Sequence, residues 1–202
     1  MMIKTHAVVP ALALATAGAY AQTVSVNLTH DDDDSVILIG ETVTWSLSIA
    51  HTGFDPGWVI GLGDITLTAD NTLGTSTDFI YEHFNGGTFL GLSNGAGISD
   101  IRFGNAPFCI DPLCDPPNTD NPMLIGTFDV TGAQAGLLDY TFSEGTANWG
   151  FVEMQLDIMT RNAFDVFATV INKQSLYILP SPGPLALVGA GGLLAARRRR
   201  PC

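Results

Sequence analysis

The 202-residue sequence predicts an all-β protein built as an antiparallel β-sandwich. Three observations carry that expectation. Apolar residues recur at every second position, most cleanly where Val43, Trp45, Leu47 and Ile49 alternate with Thr42, Thr44, Ser46 and Ser48. Such a strand has one apolar face and one hydroxyl-bearing face, as a half-buried antiparallel strand requires. Clusters of Gly, Asn, Asp and Pro separate the alternating runs at short intervals, which suits many short strands joined by turns. Finally, no window of the central chain spaces its apolar residues as a soluble amphipathic helix does. Helices are expected only at the two ends, as a cleavable N-terminal signal helix and a short C-terminal apolar helix.

Residues 1–21 carry one positive charge, Lys4, then an apolar stretch from Ala7 to Ala17 interrupted by Pro10 and Thr16. They close on Ala19-Tyr20-Ala21, an A-x-A cleavage site, so a signal peptidase is expected to leave a mature chain starting at Gln22. The body, residues 22–179, is long enough to bury the core of one ordinary domain. Its first strand alternates Val24, Val26 and Leu28 with Ser25, Asn27 and Thr29. The strand holding Trp45 follows, and its apolar mates mark that tryptophan as a core residue. Further strands are expected at Ile65–Leu67, Phe79–Phe84, Leu124–Val130, Leu138–Phe142, Val152–Ile158, Phe164–Val166 and within Val166–Ile178. Turn signals stand at His30–Asp34, Asp55-Pro56-Gly57, Asn85-Gly86-Gly87, Asn94-Gly95-Ala96-Gly97 and Thr131-Gly132.

The last twenty-three residues, 180–202, have three parts. Pro180-Ser181-Pro182-Gly183-Pro184 breaks the preceding strand, because proline can neither donate to a ladder nor sit inside a helix. Leu185–Ala196 is an uncharged apolar run, and Arg197, Arg198, Arg199 and Arg200 follow it directly. Positive charge of that kind collects on the cytoplasmic side of a membrane segment. As a helix the run is about 18 Å long, short of a hydrocarbon core of roughly 30 Å. A transient, removable anchor tolerates that shortfall better than a permanent one; an ordinary membrane anchor is the rival reading.

In its order of parts the tail resembles the PEP-CTERM sorting signal of Gram-negative-type bacteria, with Pro180-Ser181-Pro182 where that family has Pro-Glu-Pro. The resemblance implies processing by an exosortase-type transpeptidase at Pro180, Ser181, Pro182 and Gly183, with the arginines as the sorting element. It also implies transient inner-membrane association before release to the cell surface or extracellular matrix. A second resemblance concerns the body. Val24–Leu28 followed by Gly40-Glu41-Thr42-Val43-Thr44-Trp45, and Leu124–Val130 followed by Tyr140-Thr141-Phe142, are similar in pattern to cohesin-like and carbohydrate-binding-module jelly-roll sandwiches. That likeness implies a binding module for protein or polysaccharide, and transfers no binding residue.

All twenty acidic residues lie in the body, against only Arg102, Arg161 and Lys173, so its net charge is −17 where the whole chain has −12. Such a surface repels nucleic acid and anionic headgroups, and excludes a nucleic-acid partner. Asp31, Asp32, Asp33 and Asp34 need solvent or a cation; a solvated loop is the first reading and calcium the alternative, since the spaced ligands of an EF-hand are absent. Asp111, Asp115 and Asp120 near the cysteine loop stand in the same position. No other cofactor is expected. Cys109 and Cys114 sit among four prolines, and in an exported chain a disulfide between them is the expected state. A thiolate metal site is the rival, and would normally need a second Cys or His pair.

No catalytic residue can be named. Gly91-Leu92-Ser93-Asn94-Gly95 matches the G-x-S-x-G elbow, but no histidine follows Ser93 to complete a triad. Glu82, Glu144 and Glu153 could serve as a glycosidase pair only at a defined separation, which the sequence does not set. Phe79-Ile80-Tyr81-Glu82-His83-Phe84, with Trp58 and Phe89, could form a sugar-stacking platform. Core filling is the stronger reading, with Phe79 and Tyr81 on one face and Ile80 and Phe84 on the other. The expected function is therefore a non-catalytic structural or adhesive module, exported and sorted by its tail. A carbohydrate- or protein-binding module is the alternative, and a secreted hydrolase comes last.

Overall fold

The computed structural model describes residues 22–54, 57–82, 89–105, 116–144, 151–155, 163–166 and 168–182. The expected signal peptide, the tail from Gly183 onward, Cys109, Cys114, Asp111, Asp115, His83 and Phe84 lie outside the described residues. The strands are β1 (Thr23–His30), β2 (Val36–Leu38), β3 (Thr42–Thr52), β4 (Trp58–Thr68), β5 (Gly74–Ser76), β6 (Ile80–Tyr81), β7 (Phe89–Asn94) and β8 (Gly97–Gly104). They continue with β9 (Met123–Gly132), β10 (Gly136–Leu138), β11 (Thr141–Glu144), β12 (Phe151–Gln155), β13 (Ala163–Val166), β14 (Ala168–Lys173) and β15 (Leu176–Leu179). No helix occurs among the described residues, so the all-β β-sandwich fold class stands.

One large sheet runs β14-β1-β3-β9-β5, with β6 following β5 along the same partner, β9. The opposing sheet runs β13-β12-β4-β8-β7, with β11 and β12 both on β4. A small third sheet, β10-β15-β2, completes the body. The alternation expected for the first two long strands holds: Val24, Val26, Leu28, Val43, Trp45, Leu47 and Ile49 are all buried in one core with Ile60, Leu67, Ile98 and Ile101 of the opposing sheet. Trp45 is fully buried, stacked on its cross-strand neighbour Phe128 at 6.4 Å and met edge-on by Tyr140 at 4.9 Å. Aromatic clustering of this kind supplies a large part of a sandwich core.

Several local expectations are corrected. The sheets are not wholly antiparallel: β14 runs parallel to β1, and β15 parallel to β2. The alternating stretch 138–142 is two strands of different sheets, β10 and β11, because Asp139 and Tyr140 carry the chain across the core. Thr131-Gly132 is the end of β9 and pairs with β5 rather than turning. The glycine-rich region beyond Asn85-Gly86-Gly87 holds the whole of β7, and its hairpin to β8 turns at Gly95, where φ is +62°.

Candidate functional site: the small sheet and the tail junction

The small sheet presents two faces of different character. Leu138 and Leu176 pair with each other, as do Ile178 and Ile37, and all four are buried against the core. The alternate rows point outward: Leu137 pairs with Tyr177 and Tyr177 with Val36, while Leu179 pairs with Leu38. Leu137 is 47% exposed, Tyr177 54% and Leu179 45%. An apolar row on three adjacent strands is unusual for an outer face, since single surface apolar residues are normal but contiguous ones mark contact sites.

The predicted processing motif begins where this sheet ends. Leu179 closes β15, and its carbonyl accepts from Ile39 N–H at 2.9 Å. Ser181 Oγ then donates to Ile39 O at 2.6 Å, so the first residues of the tail remain bound to the turn after β2. That turn is shaped by Gly40, whose φ of +91° suits glycine, and by a bond from Glu41 N to Leu38 O at 3.0 Å. Pro180, Ser181 and Pro182 are exposed.

The opposite end of the small sheet is acidic. Asp31 Oδ1 accepts from Thr44 N, and Asp32 Oδ1 and Asp34 Oδ1 both accept from Val36 N, each at 3.0 Å. The bond from Val36, helped by Asp34, holds the Asp32 carboxyl below the usual carboxylate range. These aspartates thus act as backbone acceptors that start β2 and brace β3, the local role such side chains favour. Asp139 joins the same end of the sheet, with Lys173 Nζ at 2.8 Å; that bond lowers the Asp139 pKa. Among the described residues no three of His, Cys, Asp and Glu gather as a metal site, and the Asp31–Asp34 loop does not turn its carboxylates toward a common point.

The remaining sequence candidates fall apart in space. Ser93 lies in β7, exposed, its N–H donating to Asp78 Oδ1 at 2.8 Å, in a hairpin rather than a strand-to-helix elbow. Phe79 is buried and Tyr81 half-buried; the Tyr81 hydroxyl accepts from Arg102 N at 2.9 Å, and burial pushes its pKa up to about 12. Ile80 points out, as the alternation required. Glu144 and Glu153 lie on β11 and β12, while Glu82 follows β6 in the other large sheet.

Two features had no motif to announce them. One is the buried Asp64, reached by Arg102 Nη2 at 3.1 Å across β4 and β8. Its only sequence signal is that Arg102 is one of three basic residues in the body. The other is the exposed apolar row of the small sheet, which depends on strand neighbours distant in the chain.

No family model matches the chain, and no curated protein matches it. Solved structures similar to it are cohesin modules, in keeping with the resemblance drawn from the sequence. One is an N-terminal interface mutant of a type II cohesin–X–dockerin complex from Acetivibrio cellulolyticus, at 10% identity and a TM-score of 0.49, covering 77% of this chain and 99% of that one. A second type II cohesin module of the adaptor scaffoldin from the same organism gives 11% and 0.48, covering 84% and 98%. The cohesin module of a Clostridium perfringens family 33 glycoside hydrolase gives 11% and 0.44, covering 79% and 100%.

Proposed function

We propose that the chain is an exported, non-catalytic structural or adhesive module of the cell surface or extracellular matrix, delivered by its C-terminal tail. The observation that carries this reading is the ordered tail of breaker, apolar run and four arginines, set immediately behind the last strand. β15 ends at Leu179 and the breaker starts at Pro180; at the other end β1 begins at Thr23, two residues after Ala21. A signal peptidase and an exosortase-type transpeptidase could thus cut at both ends without breaking a strand. The apolar run pauses the chain in the inner membrane while the arginines hold its end in the cytoplasm. Strong negative charge on the body keeps it soluble and away from anionic headgroups.

The mass of the protein recovered from envelope and released fractions of its native host tests this. A body starting at Gln22 and ending near Pro180–Gly183 is the expected result. A C-terminus that still carries the four arginines would make the tail a plain anchor and remove the sorting role. The same spectrum taken without reductant reports whether Cys109 and Cys114 are joined.

A second reading, a protein-binding module, is favoured by exposed Ile80, Leu90 and Leu92. Phe79 N donates to Gly91 O at 2.8 Å, which brings these residues to one corner of the sandwich. Contiguous exposed apolar residues are the usual mark of a protein contact.

A further inference from the structure

The outer face of the small sheet has an apolar centre, an exit end where the tail departs and an acidic end. We infer that in the uncut chain the tail's own segment Leu185–Ala196 lies back across this face, with Arg197–Arg200 against the acidic end. The tail is tethered to the face itself: Leu179 belongs to the apolar row, and residues 180–184, a turn-forming Pro/Gly/Ser run, separate it from Leu185. A short tether makes the local concentration of the segment high.

Length and direction agree. β2 and β15 run parallel, so the end at Leu38 and Leu179 is the exit end and the end at Asp34 is opposite. From Leu38 back to Asp34 the backbone covers about 13 Å at the strand rise. A tail that reverses at its prolines and runs back as a helix covers about 18 Å over Leu185–Ala196. Its arginines then arrive at, or just beyond, Asp34.

Charge selects the same orientation. The acidic end holds Asp31, Asp32, Asp33, Asp34 and Asp139, against Lys173, which is paired with Asp139, and His30. Asp31, Asp33 and Asp34 are exposed, and no printed bond uses the second oxygen of Asp31 or Asp34. Four arginines complement that group, whereas a second copy of the body or an anionic lipid surface meets its net charge of −17 with like charge. Docking hides an apolar segment and an apolar face together, and cleavage near Pro180–Pro182 would uncover the face. Only this last clause rests on the proposed sorting function.

Disulfide trapping of the uncut chain, residues 22–202, in membrane-free solution tests the contact, with native Cys202 as the tail probe. In an Asp33→Cys variant, mild oxidation should join that position to Cys202 within one chain, as mapped by peptide mass spectrometry. An otherwise identical Glu41→Cys variant, at the exit end, should give roughly tenfold less, the ratio a few surface ion pairs can sustain. Adding Tyr177→Asp and Leu179→Asp, both at exposed positions, should bring the Asp33→Cys yield down to the Glu41→Cys level. So should about 1 M salt, where the screening length is about 3 Å. Equal yields at the two ends, no bridge at Asp33→Cys, or bridges between chains would each overturn the inference. Because no membrane or protease is present, these outcomes are independent of whether the native host cuts the tail.

Discussion

At the scale of single residues the core depends on a few polar atoms tied down where solvent cannot reach. Tyr140 lies between β10 and β11, where the chain leaves the small sheet for the opposing large one, and is fully buried. Its ring packs edge-on against Trp45, and its hydroxyl donates to Ala96 O at 2.8 Å in the turn between β7 and β8. One side chain thus pins a crossover to a hairpin 44 residues away in sequence. Tyr140→Phe keeps the ring and strands a buried carbonyl, so urea unfolding should show a loss of about 1–3 kcal/mol. A loss under about 0.5 kcal/mol, within the usual range of a surface change, would mean that water or a shifted backbone satisfies Ala96 O. The sequence marks Tyr140 as apolar by alternation, yet nothing near it in the chain identifies Ala96 as its partner.

At the scale of elements the sequence was clearest where strands are regular and least clear where they are bent. β1 and β3 alternate without interruption and were legible in full. β8 was not expected at all, although Ile98, Ile101 and Phe103 are buried in it. Its alternation slips by one residue because its pairing with β4 shifts between Ile65 and Leu67 and Asp100 takes a φ of +52°. Such an irregularity places two apolar residues three apart on the same face, which a period-two search misses. Gly97 starts this strand where a Cβ would stand 2.3 Å from Leu67 O. Backbone cannot swing aside as a side chain can, so Gly97→Ala should force β4 and β8 apart. The expected cost is about 1–3 kcal/mol in chemical denaturation, as for overpacking elsewhere in a core. Ser99→Ala, at a half-buried position two residues on in the same strand, is the control and should stay within about 0.5 kcal/mol. Equal stability of the two variants would show that the close approach is relieved cheaply. The apolar face of the small sheet was illegible for a related reason: Leu137, Tyr177 and Val36 become neighbours only through pairing of strands from opposite ends of the body.

At the scale of the molecule those opposite ends are zipped together. β1 and β14 run side by side in the large sheet, then β2 and β15 do the same in the small one. Between them Gln174 N donates to Leu28 O at 3.0 Å, His30 N to Gln174 Oε1 at 2.8 Å and Tyr177 N to Ser35 O at 2.9 Å. Local sequence patterns do not encode a parallel pairing between the first and last strands, so strand order could not be read in advance. The closure has a consequence for export, because Leu176 and Ile178 are core residues only a few positions before the tail. The sandwich cannot close until nearly the whole body has crossed the membrane, and the apolar run then pauses the chain just behind it. Replacing Arg197–Arg200 with alanine removes the charge that holds the tail's end in the cytoplasm and lengthens the apolar run by four residues. All strands precede Pro180, so the β-sheet circular dichroism of the purified variant should match that of the parent. Surface delivery in the native host should fall severalfold, with an unprocessed chain accumulating in the inner membrane. Delivery at the parental level would remove the sorting role of the arginines. Their complementarity to the Asp31–Asp34 end of the small sheet would then be the function that remains for them.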